Sequence, residues 1–505
     1  MLTPEAVSVQ RSELRRGLGI AGFFALAFGS MIGVGWVTAM GGWLSQAGPL
    51  GSILAFLAGG GVMLLIGLCY AELTPMLPVA GGEVAYSYRA FGTGKAFLVG
   101  WALAFGYISV SGFEAISVGR VLSYLAPGLD RWPLYEVAGA PVFLTHLLLG
   151  AAFTALITWI NYTGIARAGA FQVILTFVFV GLASLFVIAA VSTGEIANAT
   201  PLLPVRSEGS AWGGVFAVFV TTPFWFVGFD TIPQGAEEAD TSIRPRQLGV
   251  MILASFAAAT LFYIALIAAV SMVGPWERIT LADLPTAAAF DAAFESDAWT
   301  RLILIAAVIG LLTSWNGFFI AASRVIFALG RGRIISRELG RSHPTYGTPH
   351  RAVLLTGLVT LVAPVLGPNA LLGFVDVGSL CIAFAFLGVS LSTLKLRAIL
   401  PDAPRPYGIP CGVVIPRLAV AASLLILAAL VLPRSPASIE WPLEGLILVG
   451  CVALGATLWR LGRPFRAEVT EPERAHLILE RYAHGSEGDG LILPADDAQE
   501  ARRYL

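Results

Sequence analysis

Charge is what this sequence has least of. Only 12% of its 505 residues are charged while 57% are hydrophobic, whereas a soluble domain carries about a quarter charged residues. Mean hydropathy is +0.79, which excludes an ordinary soluble globule and points to an integral membrane protein. A formal net charge of −1 also lacks the basic excess that a nucleic-acid partner demands. Lysine is nearly missing, with Lys95 and Lys395 alone, so arginine carries the positive charge. The four cysteines (Cys69, Cys381, Cys411 and Cys451) show neither metal-ligand spacing nor a disulfide framework. Five dispersed histidines (His146, His343, His350, His476 and His484) assemble no catalytic set, so no enzyme, metal or cofactor is expected. The N-terminal stretch "MLTPEAVSVQRSELRRG" lacks a cleavable signal's apolar core, and the first apolar run is expected to remain as a membrane helix.

What is present is a series of twelve apolar runs, centred near residues 31, 62, 110, 150, 180, 224, 260, 312, 358, 384, 423 and 451. A bilayer core takes roughly 20 residues per helix, and the ninth run, about 351 to 366, is short. Arginines then set the orientation, because cytoplasmic loops retain them. Arg11, Arg15 and Arg16 precede helix 1, Arg89 and Lys95 follow helix 2, Arg167 follows helix 4, and Arg244 and Arg246 follow helix 6. The loop after helix 8 adds five arginines against one glutamate, and Arg460, Arg463 and Arg466 close helix 12. The connection between helices 7 and 8 instead carries Glu277, Asp283, Asp291, Glu295 and Asp297. Both termini are therefore expected in the cytoplasm of a cell (plasma or inner) membrane. The tail from about residue 464 is polar and reads as solvated, with "PERAHLILERYAHG" as an alternative amphipathic helix.

Two spans carry a weak centre. Helix 1 places Gly29, Gly33 and Gly35 beside Ser30 in "FALAFGSMIGVGWVTAMGGW". Such glycines serve either close helix packing or an unwound stretch, which at this depth must be buried in protein or line a cavity. Unwinding frees amides and carbonyls that can hold a charged ligand. Helix 6, "VTTPFWFVGFDTIPQGAEEAD", has Pro223, Gly228, Asp230 and Pro233 in one span, which makes a continuous helix costly. Broken first and sixth helices correspond if five-helix repeats are inverted about the midplane, leaving helices 11 and 12 as additions.

These residues resemble the amino acid, polyamine and organocation (APC) superfamily. The resemblance rests on "GSMIGVG" at 29 to 35, "YAEL" at 70 to 73, "PVAGGEVAYSYRAFG" at 78 to 92, "GFD" and "AEE" in helix 6, and "AASRVIFALGR" at 321 to 331. It covers about residues 18 to 400 and implies an all-α, LeuT-type membrane fold with helices 1–5 and 6–10 as inverted repeats. The implied layout is a cytoplasmic segment 1–17, a core 18–400, helices 11 and 12 in 401–463, and a cytoplasmic tail 464–505.

The resemblance also implies a substrate site. A carboxylate would lie on the amides of Ser30, Met31, Ile32, Gly33, Val34 and Gly35. An ammonium would meet carbonyls near Gly29 and near Phe226, Val227, Gly228 and Phe229, with Phe229 as an aromatic lid. Trp36 is bulkier than expected and either narrows the pocket or packs away from it. Ionisable residues within spans are costly and default to functional candidates. Asp230 would bind a cation, carry a proton or only cap the inner half-helix; Glu114 would couple or merely pair with Arg120. Asp376 is open to an outer vestibule, while Glu72, Glu237 and Glu238 are expected in solvated or gate-side ion pairs, with Arg324 snorkelling or pairing with them.

Coupling stays open at this level. Relatives that use sodium imply a cage of the Gly29 and Ile32 carbonyls with Thr313 and Ser314; the alternative is hydroxyls bonded to their own preceding turn. Others place a lysine on helix 5, where "FQVILTFVFVGLASLF" offers only apolar residues at the likely position, so that lysine is absent. The expectation is a permease moving a zwitterionic or cationic amino acid, with H+ coupling or exchange favoured over Na+. An amine or polyamine permease, and a nutrient receptor or channel, are the alternatives.

Overall fold

The computed structural model describes residues 9–483 apart from 138, 205–210, 283–284, 295–296, 368–370, 434, 436–437 and 440. Asp283, Glu295, His484 and the tail from 484 onward thus lie outside the described residues. Among those described, eleven helical segments are long and apolar enough to cross a membrane, and the short His350–Leu366 occupies the place of the ninth apolar run.

The first span is split into α1 (Ile20–Met31) and α2 (Gly35–Thr38). After α3 (Met40–Met76), bent at Gly48 where φ is +68°, come the short α4 (Gly82–Phe91) and the long α5 (Thr93–Leu125). A hairpin of β1 (Pro133–Val137) antiparallel to β2 (Ala140–Phe143) leads to α6 (Leu144–Tyr162) and α7 (Ile165–Thr193). The sixth span is split again, into α8 (Ala211–Trp225), a single 3-10 turn Phe229–Thr231, and α9 (Ile232–Gly235). Then follow α10 (Pro245–Val273), α11 (Trp276–Ile279), α12 (Pro285–Phe294) and α13 (Asp297–Arg331). The chain closes with α14 (His350–Val362), α15 (Leu371–Ile399), α16 (Val414–Val431), α17 (Leu443–Leu461), α18 (Arg463–Ala467) and α19 (Glu471–Leu479).

Local sequence explains the two breaks. Past Met31 the glycine-rich run releases the helix, and Ile32 takes φ −107°, ψ 83°. In the sixth span Pro223 removes an amide donor inside α8, and Gly228 adopts φ +135°, a conformation open to glycine but strained for any other residue. The breaks fall in the first and sixth spans, the interval that a five-helix repeat requires.

Packing decides which helices surround them. α1, α5 and α13 are largely buried, whereas α6, α7, α16 and α17 turn Leu148, Ile174, Ile188, Leu425 and Val452 outward. Large apolar side chains on the periphery are what a helix bundle presents to lipid, where the drive to bury them is absent. The protein is therefore an all-α, multi-pass membrane protein whose broken helices sit inside the bundle.

The solvated reading of the tail needs correction for residues 471 to 479. They form α19, opened by a capping box in which Thr470 and Glu473 satisfy each other's amides. Arg474, Leu477, Ile478 and Leu479 are buried, because Ile478 packs at Gly332 just past the end of α13.

Candidate functional site

The two breaks meet. A Cβ on Gly228 would stand 2.6 Å from the Met31 amide nitrogen and 2.9 Å from Ser30 Cβ, so only a glycine lets the two chains approach. Tyr263 of α10 fastens the junction by sharing its hydroxyl hydrogen between the carbonyls of Met31 (2.9 Å) and Trp225 (3.2 Å). Tyr263 had no signal in the sequence, because its partners are backbone atoms far along the chain.

Around this junction lie unpaired backbone groups. The Gly33 and Val34 amides make no hydrogen bond among the described residues, nor do the carbonyls of Gly29, Phe226 and Val227 accept one. The Gly228 carbonyl is taken by the Thr231 hydroxyl at 2.6 Å, and the Ser30 hydroxyl turns back to Leu26 at 2.5 Å. Unsatisfied amides suit an anion and unsatisfied carbonyls a cation.

The three glycines of the first break have different duties. Gly33 borders open chemistry: an added Cβ would lie 3.2 Å from Glu114 Oε1 and 3.3 Å from Ser314. A Cβ on Gly35 would fall 2.0 Å from the Trp225 ring, and one on Gly29 would fall 2.6 Å from both Gln172 Nε2 and Thr176 Oγ1. For Gly29 and Gly35 smallness therefore serves helix packing.

Aromatic side chains cover the sixth-span break. Phe229 is buried, stacked on Phe386 at 5.6 Å and met edge-on by Tyr70 at 5.3 Å. Phe226 stacks on Phe256, and Trp36 packs edge-on to Phe179 and Phe262. Trp36 thus takes the packing alternative.

The ionisable groups resolve as follows. Glu114 does not pair with Arg120, which is exposed; it is buried beside Gly33 and Ser314, and its Oε2 has no partner among the described residues. Asp230 accepts from the Gly228 amide at 2.8 Å and from the Tyr107 hydroxyl at 2.7 Å. Asp376 is half-buried on α15.

The helix 5 expectation also needs correction. Gln172 on α7 stands where only apolar residues were read, and it is fully buried. Its amide donates to the carbonyls of Ala25 (3.1 Å) and Thr313 (3.0 Å), joining the first span to α13. Asn316 and Asn161 continue the chain at 2.8 and 2.9 Å. Thr313 donates back to Gly310 at 2.8 Å and lies against Gly29, while Ser314 lies beside Gly33 and Glu114.

The arginine-rich end is sealed by ion pairs, as expected for Glu72, Glu237, Glu238 and Arg324. Glu237 takes Arg331 at 2.7 Å, Arg11 at 2.8 Å and the Ala80 amide at 3.0 Å. Glu238 holds Arg324 through both oxygens, with neither side chain exposed. Glu72 receives Arg397, Arg405 and the Ile409 amide. The Arg11 guanidinium also donates to the Leu477 carbonyl of α19, which ties the tail to this end.

Comparison with known proteins agrees with this arrangement. The family model described as amino acid permease matches residues 18–454. The branched-chain amino acid permease BcaP of Bacillus subtilis (strain 168) is 28% identical over 451 residues, covering 88% of this chain and 94% of that protein. The methylthioribose transporter of the same organism is 25% identical over 426 residues (83% and 90%). The chloroplastic cationic amino acid transporter 7 of Arabidopsis thaliana is 27% identical over 414 residues (79% and 68%). A match over residues 18–454, which includes both split helices, identifies the chain as a member of the amino acid permease family of the APC superfamily, a family of transporters and not of enzymes.

Proposed function

We propose that this protein is a secondary transporter that carries a zwitterionic or cationic amino acid across a cell membrane by alternating access, with both termini cytoplasmic. The observation that carries the reading is the contact of Gly228 with Ser30 and Met31, which brings the free amides of Gly33 and Val34 near the free carbonyls of Gly29, Phe226 and Val227. A carboxylate suits the first group and an ammonium the second. Relatives named for branched-chain and for cationic amino acids support the same class.

Glu114 brings a proton into this reading. A substrate carboxylate at the Gly33 amide beside an ionised Glu114 would face a like charge. At about 4 Å and an effective dielectric of 20 the repulsion is about 4 kcal/mol, or roughly a thousandfold in affinity. Binding therefore requires Glu114 neutral, and substrate and proton enter together. Sodium is disfavoured because the Gln172 amide places its hydrogens where a cation would need oxygen atoms. Asp230, held by the Gly228 amide and Tyr107, orders the sixth-span break.

The runner-up is an amine permease, favoured by Glu114 itself: an ionised carboxylate beside Gly33 would suit a substrate with no carboxylate. Competition discriminates between the two. Unlabelled leucine or arginine should displace its own label, and the corresponding methyl ester should not. Equal competition by ester and parent would discard the amino acid reading.

A further inference from the structure

Glu83, on α4, is a second buried acid that neither the substrate site nor the sealing ion pairs use. Its side chain is fully buried. One oxygen, Oε2, accepts from the Gln234 amide of α9, and the other hydrogen of that amide points at the Asp230 carbonyl at 3.4 Å. Gln234 therefore bridges Glu83 to the sixth-span break.

Among the described residues no cation answers this carboxyl. Against it stand Tyr70 of α3, Tyr107 of α5, Asp230 and, on its own helix, Tyr86. Tyr86 is turned to Thr74 and Tyr107 to Asp230. The arginines of the packed helices are engaged elsewhere: Arg324 and Arg331 of α13 hold Glu238 and Glu237, and Arg397 of α15 holds Glu72. Lys395 of α15 is exposed, and α9 contributes only Gln234.

Hydrogen-bond capacity is also unmatched. Glu83 Oε1, Tyr70 Oη and Gln234 Oε1 are buried without partners among the described residues. The Tyr70 hydroxyl carries the one hydrogen among these three oxygens, so acceptors outnumber donors. A proton on Oε1 would add a second hydrogen, with Gln234 Oε1 and Tyr70 Oη as its acceptors. Asp230 keeps the Gly228 amide and the Tyr107 hydroxyl as donors, and Glu83 has the Gln234 amide with the Tyr70 hydroxyl beside it. Two buried carboxyls linked by a neutral amide do not both ionise without a counter-charge.

We propose that Glu83 is a proton-binding site, linked to Asp230 through Gln234, which is loaded while the arginine-rich end is closed and releases its proton when α4 and α9 part. This deepens the transport reading above and rests on it. The seam leaves no slack: a Cβ on Gly82 would lie 2.6 Å from Pro233 Cβ, and one on Gly81 would lie 2.2 Å from Ala328 Cβ. From the arginine-rich side water reaches Glu83 only when this contact opens, and hydration then favours the ion. The O–H bond formed on Oε1 takes its proton from one solution and returns it to the other.

The test uses the full-length protein in liposomes loaded with a pH-sensitive dye, with labelled leucine and arginine as probes. Wild type should show counterflow without a gradient, and lumenal acidification should accompany net uptake. Glu83→Gln should keep counterflow, move fewer protons per substrate and lose one step of the pH profile. Glu83→Asp, which keeps an acid and guards against misfolding of the first variant, should shift that step. Unchanged proton movement and pH profile in both variants overturns the proposal. Wild-type counterflow without proton movement overturns it too while transport stands. Absence of wild-type counterflow for both probes removes the transport reading and this inference with it.

Discussion

At the scale of single residues, glycines that look equivalent in sequence have separable fates. Gly33→Val should fold but lose substrate binding, because its neighbours Glu114 and Ser314 can yield a few tenths of an ångström while the β-branched side chain occupies the ligand's approach and restricts the backbone. Gly35→Val should fail to give a monodisperse protein, because its side chain would start inside the Trp225 ring. Size-exclusion profiles of both variants and a binding assay on the first check the contrast. Gln172→Ala should lower stability, since it removes the amide's hydrogen bonds to Ala25 and Thr313 and the acceptor of the Asn316 amide, at about 1 kcal/mol for each bond lost; thermal unfolding in detergent measures it. Gln172 escaped sequence reading for a plain reason: one amide in a long apolar stretch does not disturb its hydropathy. Glu83 escaped because it sits within a short motif read as a landmark rather than as chemistry. The broken helices were legible because glycine and proline act on the backbone itself, and their effect does not depend on distant partners.

At the scale of elements, the junction of the split helices is held from outside. Tyr263→Phe removes the hydroxyl that links Met31 to Trp225, a net loss of about 1 kcal/mol. It should weaken substrate affinity while leaving α10 in place, which binding and circular dichroism together would establish. Contacts of this kind are invisible in sequence, because a tyrosine in an apolar helix carries no mark of the carbonyl it will meet. The tail was misread through composition: "PERAHLILERYAHG" is polar overall, yet Thr470 just before it and its Glu473 spell a helix start, and Ile478 packs on the end of α13. Removing Arg11 as a donor, by Arg11→Ala, leaves Glu237 with Arg331 but cuts the link to α19. Counterflow should speed up, because the arginine-rich end has one tie fewer to break on each opening; an unchanged or slower initial rate would contradict that role.

At the scale of the whole molecule, twelve helical segments and two meeting breaks follow from hydropathy, arginine placement and backbone-breaking residues, so the architecture was largely readable. The ion chemistry was not, since it depends on which buried polar groups face one another. Uptake should be unchanged when choline replaces sodium, as the seam between the first span and α13 is already filled by an amide; flux measured in the two media decides it.

That amide has an electrical consequence. Because Gln172 is neutral at every pH a cell experiences, the seam it occupies adds no charge of its own to the moving parts, and under the proposed function current would come from substrate and protons. A zwitterion taken up with protons should then drive inward current, and each charge moved is worth about 2.3 kcal/mol per 100 mV of membrane potential. One-for-one exchange of zwitterions should be electrically silent. A cell that polarises its membrane would thus pull even a neutral amino acid inward.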